Sequence, residues 1–294
     1  MTAPHFTPAD QAAAETLIRL ALQEDLADRG DLTCQALIRP DQRATVSVVA
    51  RQPGVLAGEP VGRLVMRTLD PSLHWSACLA DGDRVQPGDV VADVTGPLAQ
   101  LLIGERTMLN FLTHLSGIAT LTRKFVDAVA GTHARILDTR KTLPGWRALQ
   151  KYAVRCGGGV NHRLGLYDGV LIKDNHLAAW TESRSIAAAV IAARARWPAM
   201  PIEGEVDTLE QLRDALSGVP EIVLLDNMPP AMLMEAVALR DQQSPAVLLE
   251  ASGGVTLANV AEIARTGVER ISIGALTHSA VALDLAFDWK QREA

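Results

Sequence analysis

Apolar residues recur in two rhythms along this chain. Over residues 8–28 the spacing is helical: Ala13, Leu17, Leu20, Ala21 and Leu22 make one stripe, with Asp10 placed to cap it. A polar, turn-rich connector, EDLADRGDLT, follows. Residues 44–51 (ATVSVVAR) predict a strand closed by a Pro53-Gly54 turn. Residues 81–97 (DGDRVQPGDVVADVTGP) predict short β-segments joined by Gly turns. From 101 to 130 the helical rhythm returns, through Leu102, Met108, Leu109, Leu112, Leu115, Ile118 and Phe125, and Gly117 is expected to separate two helices.

Beyond Gly131 strands and helices alternate. Strands are expected over 135–140, 169–173, 201–206, 221–226, 246–250 and 270–273. Helical patterns fall at 182–197, 208–217, 229–240 and 256–266. Such alternation implies parallel strands joined by right-handed crossovers. The strand runs GVLI, IVLL and AVLL are continuously apolar, as in strands buried on both faces. Each run then ends in polar chemistry. The first ends in Arg140-Lys141 and the second in Lys173-Asp174-Asn175-His176. The third holds Glu203 and Glu205, and the fourth ends in Asp226-Asn227. The fifth runs into Glu250 and Ser252-Gly253-Gly254, the last into Gly274 and His278. In an α/β barrel all strand carboxyl ends open on one face, where chemistry occurs. Six polar strand ends therefore converge on one expected site.

Composition narrows the possibilities. The 294 residues allow one large or two medium domains. Aromatic residues are only 4%, which suits an Ala/Val/Leu/Ile core and supplies little for stacking nucleic-acid bases. The three cysteines have neither metal nor redox spacing, so a reduced, cytoplasmic protein is expected. The start of the chain has no secretory pattern, and no apolar run approaches the ~20 residues of a membrane helix. Neither nucleic acid nor membrane is an expected partner.

Charge is distributed unevenly. Between Arg135 and His176 eight Lys or Arg face three Asp, a local balance of +5 in a chain of net charge −6, leaving −11 elsewhere. That contrast points to a multiply charged small anion. Arg140, Lys141, His162, Arg163 and Lys173 are the cationic candidates, since Arg pairs bidentately with carboxylate or phosphate and Lys acts as a point charge. Arg147, Lys151 and Arg155 step four apart and are expected on a solvated helix face. Glu205 and Asp226 could hold a metal, bind ribose hydroxyls, stabilise developing positive charge, or simply pair with the cations. Ser252-Gly253-Gly254 fits a phosphate cradle or an ordinary turn, and Gly274 after the last strand favours the cradle. Residues 81–97 resemble biotinyl and lipoyl carriers but contain no Lys to modify, so a β-layer is the better reading.

Several strings taken together identify a resemblance: DTRKTLPGWRALQKYAV, CGGGVNHRLGLYDGVLIKDNH, LLDNM and EASGGV, with EDLADRGDLT, GVLAGEP, ERTMLNFLTHLSGIAT and SIGALTHS. They resemble the quinolinate phosphoribosyltransferases over nearly the whole chain. The resemblance implies conversion of quinolinate and phosphoribosyl pyrophosphate (PRPP) to nicotinate mononucleotide, pyrophosphate and carbon dioxide, with Mg²⁺, in NAD biosynthesis. It implies an N-terminal α/β layer domain over 1–116, with 279–294 returning to it. An open α/β barrel of six or seven mostly parallel strands is implied over 117–278. It implies a homodimer, in some members a hexamer, with shared active sites. By position, Arg106 would come from the neighbouring subunit. Arg140, His162, Arg163 and Lys173 would bind quinolinate, with Lys141 shared toward PRPP. Glu205 and Asp226 would serve the ribose and Mg²⁺. Ser252, Gly253, Gly274 and His278 would surround the 5′-phosphate. The alternatives are a paralogue that uses nicotinate or another base without decarboxylation, and a non-catalytic anion-binding or carrier protein.

Overall fold

The computed structural model describes residues 4–289. Along the chain its strands are β1 (Arg43–Ala50), β2 (Gly54–Val55), β3 (His74–Ala77), β4 (Arg84–Val85), β5 (Val90–Pro97), β6 (Arg135–Leu137), β7 (Val170–Ile172), β8 (Ile202–Val206), β9 (Ile222–Asp226), β10 (Leu248–Ser252), β11 (Arg270–Ser272) and β12 (Leu285–Trp289). The chain folds into two compact units. One comprises residues up to 123, 142–158 and those from 275; the other comprises 124–141 and 159–274.

The first unit is built on an antiparallel sheet of order β12-β1-β5-β3, beside the two-stranded β2-β4. Helix α1 (Pro8–Leu26) starts at Thr7, whose hydroxyl accepts from the Asp10 N–H while the Asp10 carboxylate accepts from the Thr7 N–H. Asp10 thus completes a capping box from the third helical position, with Thr7 as the cap itself. The expected connector, residues 24–33, begins in the last turn of α1 and ends in the first turn of a short helix, α2 (Leu32–Leu37), capped by Asp31 through the Thr33 and Cys34 amides. Helix α3 (Glu59–Leu69) begins where the buried Asp81 carboxylate accepts from the Gly58 and Glu59 amides at 2.8 and 2.9 Å. Residues 81–97 form β4 and β5 of these sheets, the β-layer reading rather than a carrier. Of the tail expected to return, β12 pairs with β1, and residues 290–294 lie outside the described residues.

Two expectations fail here. Helix α4 runs unbroken from Leu98 to Ala128, so Gly117 separates nothing. Gly117 instead allows close backbone approach: a Cβ there would lie 2.2 Å from the Val281 carbonyl oxygen and 3.0 Å from the Ala282 Cα. Gly117→Ala is expected to cost about 1–3 kcal/mol through overpacking, read as a lowered thermal midpoint. A midpoint equal to wild type would mean that residues 281–282 yield freely. The second failure concerns α5 (Arg147–Cys156). Residues 149–154 of α5 are all buried, so its charge spacing does not mark a solvated face. Lys151 is fully buried, and Arg155 pairs with Asp10 at 2.7 Å.

The second unit is a six-stranded parallel sheet of order β6-β11-β10-β9-β8-β7. All six expected strands are present. Its helices include α6 (Asp174–Ala179), α7 (Ile186–Arg196), α8 (Leu209–Ser217), α9 (Pro230–Gln243) and α10 (Val260–Arg265); α11 (Ala275–His278) falls in the first unit. The N-terminal antiparallel sheet and the C-terminal parallel α/β sheet match the expected fold class.

Candidate active site

The parallel register sets the site. Glu205 of β8 aligns with Leu224 of β9, Leu224 with Glu250 of β10, and Glu250 with Arg270 of β11. Two residues further, Asp226, Ser252 and Ser272 align. Because side chains alternate with period two, Glu203 shares a face with Glu205, and Glu250 with Ser252. That face lines a cavity of about 360 Å³. Arg140, Lys141, His162, Arg163, Lys173, Glu205, Asp226 and Ser252 all border it, with Thr139, Leu171, Leu224, Glu250 and Ser272. Gly253 directly follows β10, and Gly274 stands two residues beyond the end of β11. Arg106, exposed on α4, and His278, on α11, belong to the first unit.

The loop carrying Asn161, His162 and Arg163 is tied to the end of β6. The buried Asp138 carboxylate accepts from the His162 amide at 2.9 Å and from Asn161 Nδ2 at 2.6 Å. Val160 donates its N–H to the Ile136 carbonyl at 2.8 Å, extending the sheet edge. Arg163 Nη1 donates to the Gly169 carbonyl at 3.0 Å. Burial, then the nearby Arg140 charge, lowers the pKa of the Arg163 guanidinium from its ordinary value. Lys173 pairs with Glu205. Its amide donates to His176 Nδ1 at 2.9 Å, which seats the start of α6.

His162 lies over a buried pair of carboxylates. Its Nε2 is 3.1 Å from Glu203 Oε2 and 3.3 Å from Glu250 Oε1. Burial opposes charge on the ring, but the two carboxylates outweigh it and push the His162 pKa up to about 9. Burial also raises Glu203. Glu250 is lowered despite burial, because His162 and Arg270 stabilise its charge; Arg270 Nε donates to its Oε2 at 2.7 Å. Nδ1 of His162 accepts the Arg163 N–H at 2.8 Å, which assigns the hydrogen of the neutral ring to Nε2, facing the two carboxylates.

At the ends of β9 and β10, Asn227 takes φ +53° and donates from Nδ2 to Asp226 Oδ2 at 2.8 Å. Gly253, at φ +91°, must lack a side chain, since a Cβ would fall 2.2 Å from Asn227 Oδ1. Helix α10 begins only at Val260, so the Ser252-Gly253-Gly254 segment is a glycine turn and not a helix N-terminus. Glu205 and Asp226 provide half-buried carboxylate oxygens on one face, a donor set that fits Mg²⁺. Among the described residues the one cluster of three close metal-ligating side chains is His162, Glu203 and Glu250.

Residues 118–288 match the quinolinate phosphoribosyl transferase C-terminal domain, and residues 31–116 match its N-terminal domain. The chain belongs to the quinolinate phosphoribosyltransferase family. A "nicotinate-nucleotide pyrophosphorylase [carboxylating]" of Mycobacterium leprae is 51% identical over 278 residues, covering 94% of this chain and 97% of that one. A probable protein of the same description from Bacillus subtilis is 42% identical, covering 88% of each chain. The solved nicotinate-nucleotide pyrophosphorylase of Francisella tularensis superposes with TM-score 0.89 at 36% identity, over 99% of this chain and 100% of that one. A human nicotinic acid phosphoribosyltransferase, at 15% identity and TM-score 0.56, shares the fold alone with this family member.

Glu203 and Glu250 were expected only as polar strand residues, without a partner, and Arg270 was not singled out; the structure sets Glu203 and Glu250 against His162, and Arg270 against Glu250. The available signal was two-residue alternation: Glu203/Glu205, Glu250/Ser252 and Arg270/Ser272 each mark one face of a strand. Attention to the strand ends alone passed over it.

Proposed function

We propose that the sheet cavity binds quinolinate beside PRPP and joins them. The activity is that of a carboxylating nicotinate-nucleotide pyrophosphorylase, a phosphoribosyltransferase of NAD biosynthesis. The observation that carries the site reading is the convergence of Arg140, Lys141, Arg163 and Lys173 with Glu205 and Asp226 on one cavity. Quinolinate carries two adjacent carboxylates, whose mutual repulsion calls for several cations. In this reading Arg140, Arg163 and Lys173 hold them, His162 closes the floor, and Lys141 is shared with PRPP. In the same reading Ser252, Gly253 and Gly274 form the 5′-phosphate cradle.

The bond from the ribose anomeric carbon to pyrophosphate breaks and the quinolinate nitrogen bonds to that carbon. Positive charge develops on the ribose, and the Glu205 and Asp226 carboxylates stabilise it. Those two residues would hold Mg²⁺, which when bound lowers the negative charge of the pyrophosphate group. Ribosylation makes the ring nitrogen cationic. The electron pair released when CO₂ leaves carbon 2 is therefore stabilised by the substrate itself, and a proton then takes that position. The assembly in this reading is a homodimer with Arg106 contributed across to the neighbour's site, and the location is the cytoplasm. No helix among the described residues is long and apolar enough to cross a membrane.

The test is release of CO₂ and formation of nicotinate mononucleotide from quinolinate and PRPP, with nicotinate as the competitor. Each charge-assisted hydrogen bond contributes roughly 1.5–3 kcal/mol. The second carboxylate should make more than one, so quinolinate is expected to bind far better. Equal turnover of nicotinate would favour the non-decarboxylating paralogue.

A further inference from the structure

The chain leaves β9 through Asn227, whose backbone is left-handed at φ +53°. Of the three described non-glycine residues at positive φ, Asn227 alone directly follows a residue that lines the cavity, Asp226. Asn tolerates this conformation better than most residues with a Cβ, but surrounding contacts must still hold it there. Three contacts do so. The Asn227 N–H donates to the Ser252 carbonyl at 2.8 Å, just beyond the register pair of Asp226 and Ser252. Nδ2 donates to Asp226 Oδ2 at 2.8 Å. Oδ1 fills the space that a Cβ on Gly253 would need, at 2.2 Å. The side chain is exposed, so core packing does not account for this placement. Its carboxamide is wedged between the Asp226 carboxylate and the Gly253 backbone. With Oδ2 engaged by Asn227, Oδ1 is the Asp226 oxygen left for a ligand.

We propose that Asn227 is a positioning residue that sets the spacing between Asp226 and the Ser252-Gly253-Gly254 turn, so that a ligand carrying both ribose hydroxyls and a 5-phosphate meets the two together. Two groups in one molecule reinforce each other only where the geometry lets both engage at once. A spacer fixed before the ligand arrives removes the cost of arranging the two subsites. The inference rests on the reading of Asp226 as a ribosyl carboxylate and of Ser252 and Gly253 as part of the phosphate cradle. It adds the residue that joins them.

Ribose 5-phosphate and inorganic phosphate are the probes, titrated by calorimetry into the full chain. Wild type is expected to bind ribose 5-phosphate about tenfold or more tighter than phosphate, the lower end of what one hydrogen bond to a charged group supplies. Asn227→Gly keeps the left-handed backbone without strain and removes the carboxamide. Asn227→Asp keeps the side-chain shape and tolerates the same φ, but exchanges the Nδ2 donor for an oxygen. The ratio of the two dissociation constants is the readout, because a charge placed near the turn acts on both phosphates alike. Both variants are expected to lose most of that ratio, and Asn227→Gly should bind phosphate as wild type does. Asp226→Ala should show the same loss. An unchanged ratio in Asn227→Gly overturns the spacing role. So does an equal weakening of both probes, since a merely structural residue moves the two affinities together. A ratio lost in Asn227→Gly but kept in Asn227→Asp overturns the hydrogen bond to Asp226 as the basis of the spacing, and the proposal with it. If wild type holds ribose 5-phosphate no tighter than phosphate, or Asp226→Ala keeps the preference, the ribosyl assignment of Asp226 itself fails, and the spacing role with it.

Discussion

Asp226→Ala is expected to lower kcat about 100- to 1,000-fold, the usual cost of losing one preorganised electrostatic contact, with quinolinate affinity nearly unchanged. Asp226 closes β9 and stands in register with Ser252, on the side of the cavity where the glycine turn begins. Asn227 fixes its orientation through the Nδ2–Oδ2 hydrogen bond. In the proposed reading it serves the ribosyl and Mg²⁺ side, so its loss acts on the chemical step. Steady-state kinetics together with calorimetric quinolinate binding check this. Normal turnover with impaired quinolinate affinity would put Asp226 in the wrong role.

Mixing two inactive proteins is expected to regenerate activity. Arg106→Ala and Lys173→Ala should each be nearly inactive alone. If sites are shared between subunits, a mixed dimer has one site with both lesions and one with neither, and activity returns toward half of wild type per dimer. An interface that contributes to catalysis in this way should be large and partly apolar. Native mass spectrometry establishes whether mixed dimers form. Mixed dimers without activity would assign Arg106 to its own subunit's site or to a structural role.

Much of this arrangement was legible in the sequence. The parallel strands were visible because residues buried on both faces are continuously apolar, and the polar residues that end them stand out against that background. The cationic stretch stood out because the rest of the chain is acidic. What the sequence hid has physical causes. Gly117 reads as a breaker from its low helix propensity, but its purpose is the approach of residues 281–282, a contact 164 positions distant. Lys151 follows a solvated-face spacing, yet tertiary packing buries it, which spacing along one helix cannot report. Glu203 and Glu250 lie inside apolar strands, where a carboxylate is interpretable only once His162 and Arg270 are known to be beside it.

The pairing of β12 with β1 bears on how the polypeptide matures. The sheet of the first unit acquires its β12 edge only when residues 285–289 are available, although β1 is synthesised near the beginning. The second unit draws solely on residues 124–141 and 159–274. On a translating ribosome, where chains emerge N-terminus first at ≈ 5–20 residues per second, the later-encoded unit therefore has its full complement of strands before the earlier-encoded one. Until then Val46 and Val48 have strand partners on the β5 side alone, and β1 is an open strand edge exposed to mispairing.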